Sequence, residues 1–171
     1  MKALIYGVIA LIVIISAYFV GLSVSSRKQP DLGLLNNQLR VCPATPNCVS
    51  SEMQGATVTV EPLKVASIVN ETAKTQADEI WASLWKDAKI AIIECGGDIV
   101  VERDGYLHAT FVTTLLRFVD DVELRLDKNK QIIHIRSASR VGRSDMGANR
   151  DRVTKIRKVF LNRTEKKQSR D

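Results

Sequence analysis

The sequence predicts an α+β protein: an N-terminal transmembrane helix, then one small domain with an antiparallel sheet of about four strands and two main helices. Three observations predict this. Ala3–Val24 is an uncharged, almost wholly apolar run. Ile80, Trp81, Leu84, Trp85 and Ala88 recur at helical spacing. An Asp-Gly pair at 104–105 then opens a series of β-rich stretches that ends near residue 139.

The apolar run holds 22 residues. At about 1.5 Å per helical residue it spans roughly 33 Å, enough for a bilayer core. A single segment crosses lipid only as a helix, because lipid offers no partner to open backbone groups. Length favours an uncleaved anchor over residues 1–26. Ser23-Val24-Ser25 imitates a small-x-small cleavage site, so removal as a signal sequence stays open. Orientation is divided: Lys2 and the terminal amine favour a cytoplasmic N-terminus, and Arg27 and Lys28 pull the other way.

Residues 27–40 (RKQPDLGLLNNQLR) read as a polar linker with Pro30 and Gly33. VCPATPNCVSS, residues 41–51, carries two prolines and an Asn and reads as an ordered loop. Ala56–Val60 alternates and is expected to be a first strand, stopped by Pro62. Thr75-Gln76-Ala77-Asp78 resembles a capping box and opens a helix from Gln76 to about Ile93, ended by Gly96-Gly97. Both tryptophans lie on its apolar stripe, so core packing is expected of them.

Asp98–Arg103 and Tyr106–Thr113 flank the Asp104-Gly105 hairpin signal. Arg117–Asp127 and Gln131–Ser139 follow as further strands. A two-residue turn at Lys128-Asn129 would set Val122 opposite Ile135, Leu124 opposite Ile133, Asp121 opposite Arg136 and Glu123 opposite His134. Asp120 then falls on the aliphatic face and needs a partner or a place at the rim. Asp145 or Ser144 is expected to cap a last helix that buries Val153, Ile156 and Phe160. The soluble domain is expected over 41–162 and a polar tail over 163–171. That domain suits a single core by size.

Charge is uneven. Residues 136–158 carry 8 basic and 2 acidic side chains, whereas 27–135 carry 12 basic and 15 acidic. The positive segment has no aromatic residue for base stacking, and the domain is anchored, so nucleic acid is not the expected partner. Anionic lipid, a cell-wall polymer or an envelope protein fits better, beside the plainer reading of a solvated face with internal ion pairs.

Two stretches carry specific patterns. One is Cys42-Pro-Ala-Thr-Pro-Asn-Cys48 with its following Val-Ser-Ser. The other is Phe118-Val-Asp-Asp-Val-Glu123, continued by the run Arg136–Val153, RSASRVGRSDMGANRDRV. Together they resemble the domain of unknown function 1499 family, whose CPxxPNCVSS, FxDDVE and RSxSRxGxSDxGxNRxRV segments stand here in order. The resemblance covers residues 40 to 160. It implies one domain in an exported or organelle-lumen setting, and it carries no reaction, ligand or catalytic residue.

The chemistry-bearing residues admit paired readings. Cys42 and Cys48 would form a disulfide in an oxidising compartment; a metal pair or a nucleophilic Cys48 are the alternatives, and their five-residue spacing is wide for zinc. Cys95 reads as a small buried hydrophobe. Asp120 and Asp121 point to opposite faces, so they do not form a shared-proton dyad. Asp121 paired with Arg136, and Asp120 held by loop 139–145, is the structural reading. Arg136, Arg140 and Arg150, with Ser137, Ser139, Asp145 and Asn149, suit an anion bound beside a helix N-terminus. The same arginines would equally lock the loop to Asp120 and Asp145. Arg143, Arg152 and Arg157 read as surface. His108 and His134 read as sheet-face residues rather than bases. The sequons at Asn70 and Asn162 read as chance matches in a bacterial-looking setting.

The expected protein is therefore a single-pass inner-membrane protein with a periplasmic domain, more binding or structural module than enzyme, with no cofactor and no metal. The alternative is an enzyme acting on a phosphorylated or carboxylated envelope substrate, with Asp120 or Asp145 as acid or base.

Overall fold

In the computed structural model, residues 1–64 and 74–168 are described. The sequon at Asn70 lies outside them. Helix α1 (Lys2–Ser26) is long and apolar enough to cross a membrane, a property that an anchor shares with a signal sequence. The strands and helices that follow are β1 (Leu34–Leu35), β2 (Gln38–Leu39), β3 (Cys48–Ser50), β4 (Leu63–Lys64), α2 (Lys74–Glu94), β5 (Asp98–Arg103), β6 (Tyr106–Val112), β7 (Val119–Asp127), β8 (Ile132–Ser139) and α3 (Ala148–Gln168).

The α+β class and the antiparallel pairing stand, but the sheet has six strands rather than four. β5 to β8 form the expected meander, in spatial order β3-β8-β7-β6-β5, and β4 also pairs with β8. The two additional strands come from unexpected places. Cys48–Ser50 pairs with Ala138–Arg136, although the prolines before it argued for a loop. Those prolines end at Pro46, so the residues that enter the sheet keep their donors. The stretch expected to be the first strand, residues 56–60, is mostly turn; it meets the sheet through a single parallel bridge, Thr59–Ser50, and through the side chains of Val58 and Val60.

Turn geometry explains a second correction. β7 and β8 are joined by four residues, Lys128–Gln131, with Gln131 in the left-handed region, so Asp127 pairs with Ile132. The register moves by two residues, which preserves the faces and changes every partner. Val122 pairs with Ser137, Leu124 with Ile135, and Glu123 with Arg136. At the β5–β6 hairpin Gly105 alone takes positive φ, which excludes the turn form that needs it at both residues. That form belongs instead to β1–β2, where Asn36 and Asn37 both have positive φ.

One sheet face is apolar. Leu107, Ala109, Phe111, Val122, Leu124, Ile133 and Ile135 meet Trp81, Leu84, Ala88, Ala91 and Ile92 of α2 and Val153, Ile156 and Phe160 of α3. Full burial of each large aliphatic side chain contributes roughly 1.5–3 kcal/mol, which makes this layer the main driving force for the fold. Trp85 lies at its edge and donates to Glu102 (3.3 Å). Cys95 is half-buried beside it with a free thiol. Helix α3 runs on to Gln168, past the expected start of the tail. Arg163 and Lys167 pair there with buried Asp87, and Thr164 is buried.

Candidate functional site

The opposite sheet face is built from charge, and it is not solvated. Alternation along β7 places Asp121, Glu123, Arg125 and Asp127 on this face, facing Tyr106 and His108 of β6 and His134 and Arg136 of β8. Asp121 and Glu123 are 2 % and 0 % exposed, because residues 28–40 and the stretch after β3 fold over them. The expected linker is thus a cover. Gly33 N donates to Glu123 Oε1 (3.2 Å), and Leu39 N donates to Glu52 Oε2.

Three paired groups fill this layer. Arg140 reaches across to Asp121 as a fork, Nε to Oδ2 (2.8 Å) and Nη2 to Oδ1 (2.7 Å), while His108 Nε2 lies 2.7 Å from Oδ1. Glu123 accepts from Arg136 Nη1 (2.8 Å) and from the Tyr106 hydroxyl (2.8 Å). Arg125 joins Glu52 and Asp127, with His134 beside them and Ser51 Oγ 3.1 Å from its Nδ1. Buried charges survive only when paired and hydrogen-bonded in this way. Among the described residues, His134 Nε2, Arg136 Nε and Arg40 Nε are buried without a hydrogen-bond partner.

The electrostatics follow from these contacts. Burial raises the Asp121 carboxyl, but the Arg140 and His108 hydrogen bonds outweigh it and leave the group below the ordinary carboxylate range. Burial and the Glu123 charge push the Tyr106 hydroxyl far up, so it remains a donor. Burial also lowers His134, with Arg125 adding to the effect against Glu52 and Asp127. A pocket of about 370 Å³ opens between the cover and the sheet, lined by Pro30, Gly33, Val101, Arg103, Tyr106 and His108.

The sequence-derived site residues separate into several groups. Arg136 pairs with Glu123 rather than Asp121, the direct result of the register shift. Asp121 takes Arg140 instead. Arg150 donates to the Thr59 and Thr57 carbonyls (2.9 and 2.8 Å), not to an acid. Asp120 lies on the other face, where Arg152 of α3 neutralises it. Arg152, expected at the surface, also stacks over Phe111 at 4.9 Å. Asp145 accepts from Asn149 N (2.8 Å) and Gly147 N (3.1 Å) and opens α3, and these bonds keep its pKa low against the effect of burial.

Asn149 is fully buried. It donates to the Asn47 carbonyl (3.0 Å) and Ser139 Oγ (2.9 Å) and accepts from Ser137 (2.6 Å). A disulfide joins Cys42 to Cys48 and closes the loop that presents Asn47. Asn47 Nδ2 in turn donates to the Gly142 carbonyl (2.8 Å). Among the described residues, no three His, Cys, Asp or Glu side chains are arranged to hold a metal ion.

The disulfide loop, the Asp-Asp strand and the arginine loop therefore meet at one end of the sheet. The family model described as protein of unknown function (DUF1499) matches residues 38–160, a span that contains all three. The chain belongs to this family. No curated protein and no solved structure matches it. The DUF1499 match begins at β2 and ends one residue after Val159, so it takes in the whole charged layer and leaves α1 outside.

Glu52, Tyr106 and Arg125 stand outside the sequence-derived site, Glu123 enters it only as the residue set opposite His134, and Arg152 reads as surface. The four-residue alternation of charge on β7 was visible, but such alternation usually marks a solvated face. Arg152 carried a signal too. It lies one residue before Val153, where helical spacing turns it toward the rim of the core.

Proposed function

We propose that this DUF1499 chain is a membrane-anchored binding or structural module, with α1 retained as a single span and the domain on the oxidising, periplasmic side of a bacterial inner membrane. The reading is carried by one observation. Three arginines of the shared segments, Arg136, Arg140 and Arg152, are consumed in buried pairs with Glu123, Asp121 and Asp120, and one of them holds the last turn of α1. Arg140 Nη1 donates to the Ser26 carbonyl (3.1 Å), and Ser26 Oγ accepts from Val119 N (3.1 Å). A cation at a helix C-terminus meets both the unpaired carbonyls and the dipole there. Such a joint supports a helix kept in place rather than one removed, and the Cys42–Cys48 disulfide supports an oxidising setting.

With Arg136, Arg140 and Arg152 set against their acids, the exposed cations of the positive segment are Arg143, Lys155 and Lys158. This loop-and-helix surface is the proposed contact for an anionic group on lipid, cell-wall polymer or an envelope partner. Fragment 27–171 is expected to float with phosphatidylglycerol vesicles at low ionic strength and to be released as salt rises. Absence of binding at low salt, or binding indifferent to salt, overturns this reading.

A second reading, an enzyme acting on a phosphorylated or carboxylated substrate, is favoured by the pocket over His108, Tyr106 and Arg103. His108 with Asp121 is an acid–base pair in form. Loss of a turnover on His108→Gln with an unchanged melting temperature would replace the first reading with this one.

A further inference from the structure

We infer that the β6–β7 turn, residues 113–117, seats the domain on the bilayer: Leu115 and Leu116 enter the boundary between headgroups and acyl chains, and Arg117 meets lipid phosphates. The inference rests on the reading of α1 as a retained anchor.

The level of the turn is set by α1. The apolar run ends at Val24 and charge resumes at Arg27, so the hydrocarbon boundary falls in this last turn of the helix. Ser23 and Ser26 in that turn are buried against the domain. Ser23 Oγ donates to the Arg117 carbonyl (3.5 Å), and Ser26 holds Val119 N. No spacer intervenes, so the β6–β7 turn stands at the height of the interface.

The chemistry of the turn fits that position. Connections that face water draw on Gly, Asn, Asp and Ser. This one presents Leu115 at 88 % exposure beside Leu116 and Val112, which are also exposed. The leucines are held outward. Thr113 N donates to the Phe118 carbonyl (2.9 Å), Phe118 N to Thr113 Oγ1 (2.9 Å), and Arg117 N to the Thr113 carbonyl (3.1 Å). Around this apolar tip stand exposed Arg27, Lys28 and Arg117, with Arg143 on the neighbouring loop that Arg140 ties to α1. An apolar tip ringed by cations matches a bilayer interface with anionic headgroups.

The test uses the full chain in vesicles of phosphatidylcholine and phosphatidylglycerol, in a Cys95→Ala background. A nitroxide is attached to Leu115→Cys, to Asp104→Cys at the far end of the sheet, or to Val13→Cys within α1. The expected result is a several-fold higher ratio of oxygen to aqueous nickel-chelate accessibility at position 115 than at 104. Labels at Thr114→Cys and Leu116→Cys repeat the measurement if one position disturbs the turn. A label at 115 that meets the nickel chelate as freely as that at 104, or that is shielded from both reagents, overturns the inference. If the Val13 label is lipid-exposed in that case, the anchor reading survives; if it is water-exposed, the anchor reading fails as well.

Discussion

Arg140→Met tests the joint between α1 and the domain. The Arg140 and Asp121 side chains are 8 % and 3 % exposed, and the fork between them is the strongest contact Asp121 has. Removing one partner of a buried pair typically costs about 3–5 kcal/mol, because the other charge stays desolvated. Asp121 retains His108, which places the expected loss near the low end, about 3 kcal/mol. For a domain of this size that corresponds to a fall of roughly 10 °C in Tm. The assay is thermal unfolding of the full chain in detergent, followed by tryptophan fluorescence, since Trp81 sits in the domain core and α1 has no tryptophan. Adding Asp121→Asn removes the orphaned charge, so the double variant is expected to be more stable than the two single losses sum to, by about 2 kcal/mol. Arg140→Lys, which keeps charge without the fork, should fall between. A Tm change of only a degree or two, or additivity within about 0.5 kcal/mol, refutes the claim that this pair is a coupled lock.

Replacing both Cys42 and Cys48 with Ala is expected to remove about 2 kcal/mol of stability by releasing a short loop, and reductant should shift wild type by the same amount; equal urea midpoints with and without reductant would show that the bridge is absent. His134 binds its proton more weakly when folded than when unfolded, so its contribution is complete above the ordinary histidine value of about 6.5 and is lost as pH falls through the lowered folded value. His134→Gln should flatten the urea midpoint against pH in that window, and an unchanged slope counts against the assignment. Asp121 and Asp145 follow the same sign at lower pH, with loss beginning near the ordinary aspartate value of about 3.9. Gly97→Ala would set a methyl 2.7 Å from the Phe111 ring and 2.8 Å from Ile92, so it is expected to cost about 1–3 kcal/mol in urea unfolding.

Much of the frame is legible in the chain alone. Ala3–Val24 announces its helix by composition, and Asp104-Gly105 announces its hairpin. The stripe of Trp81, Leu84 and Ala88 announces the helix that covers the sheet. Asp145, one of two cap candidates beside Ser144, opens α3, and it is legible because capping is local chemistry. The Asn36-Asn37 turn is equally local, but it sits inside a segment that reads as linker. The partners of Asp121 and Arg136 are not legible in the sequence for one reason: the length of the 128–131 connection decides register, and period-two alternation is identical for registers two residues apart.

What the sequence determined by itself is therefore what nearest neighbours along the chain determine: a membrane-length helix, the strand faces, the caps and the charge carried by each segment. It left open whether the charged face of β7 met water or protein, since alternation reports which side a residue takes and not what lies against it. Only the tertiary structure decided that residues 28–40 cover this face, that Arg140 joins Asp121 to the end of α1, and that Arg152 neutralises Asp120. Those contacts link residues up to 114 positions apart, and the partner each charge finds depends on loop lengths and docking angles summed over all the chain between them.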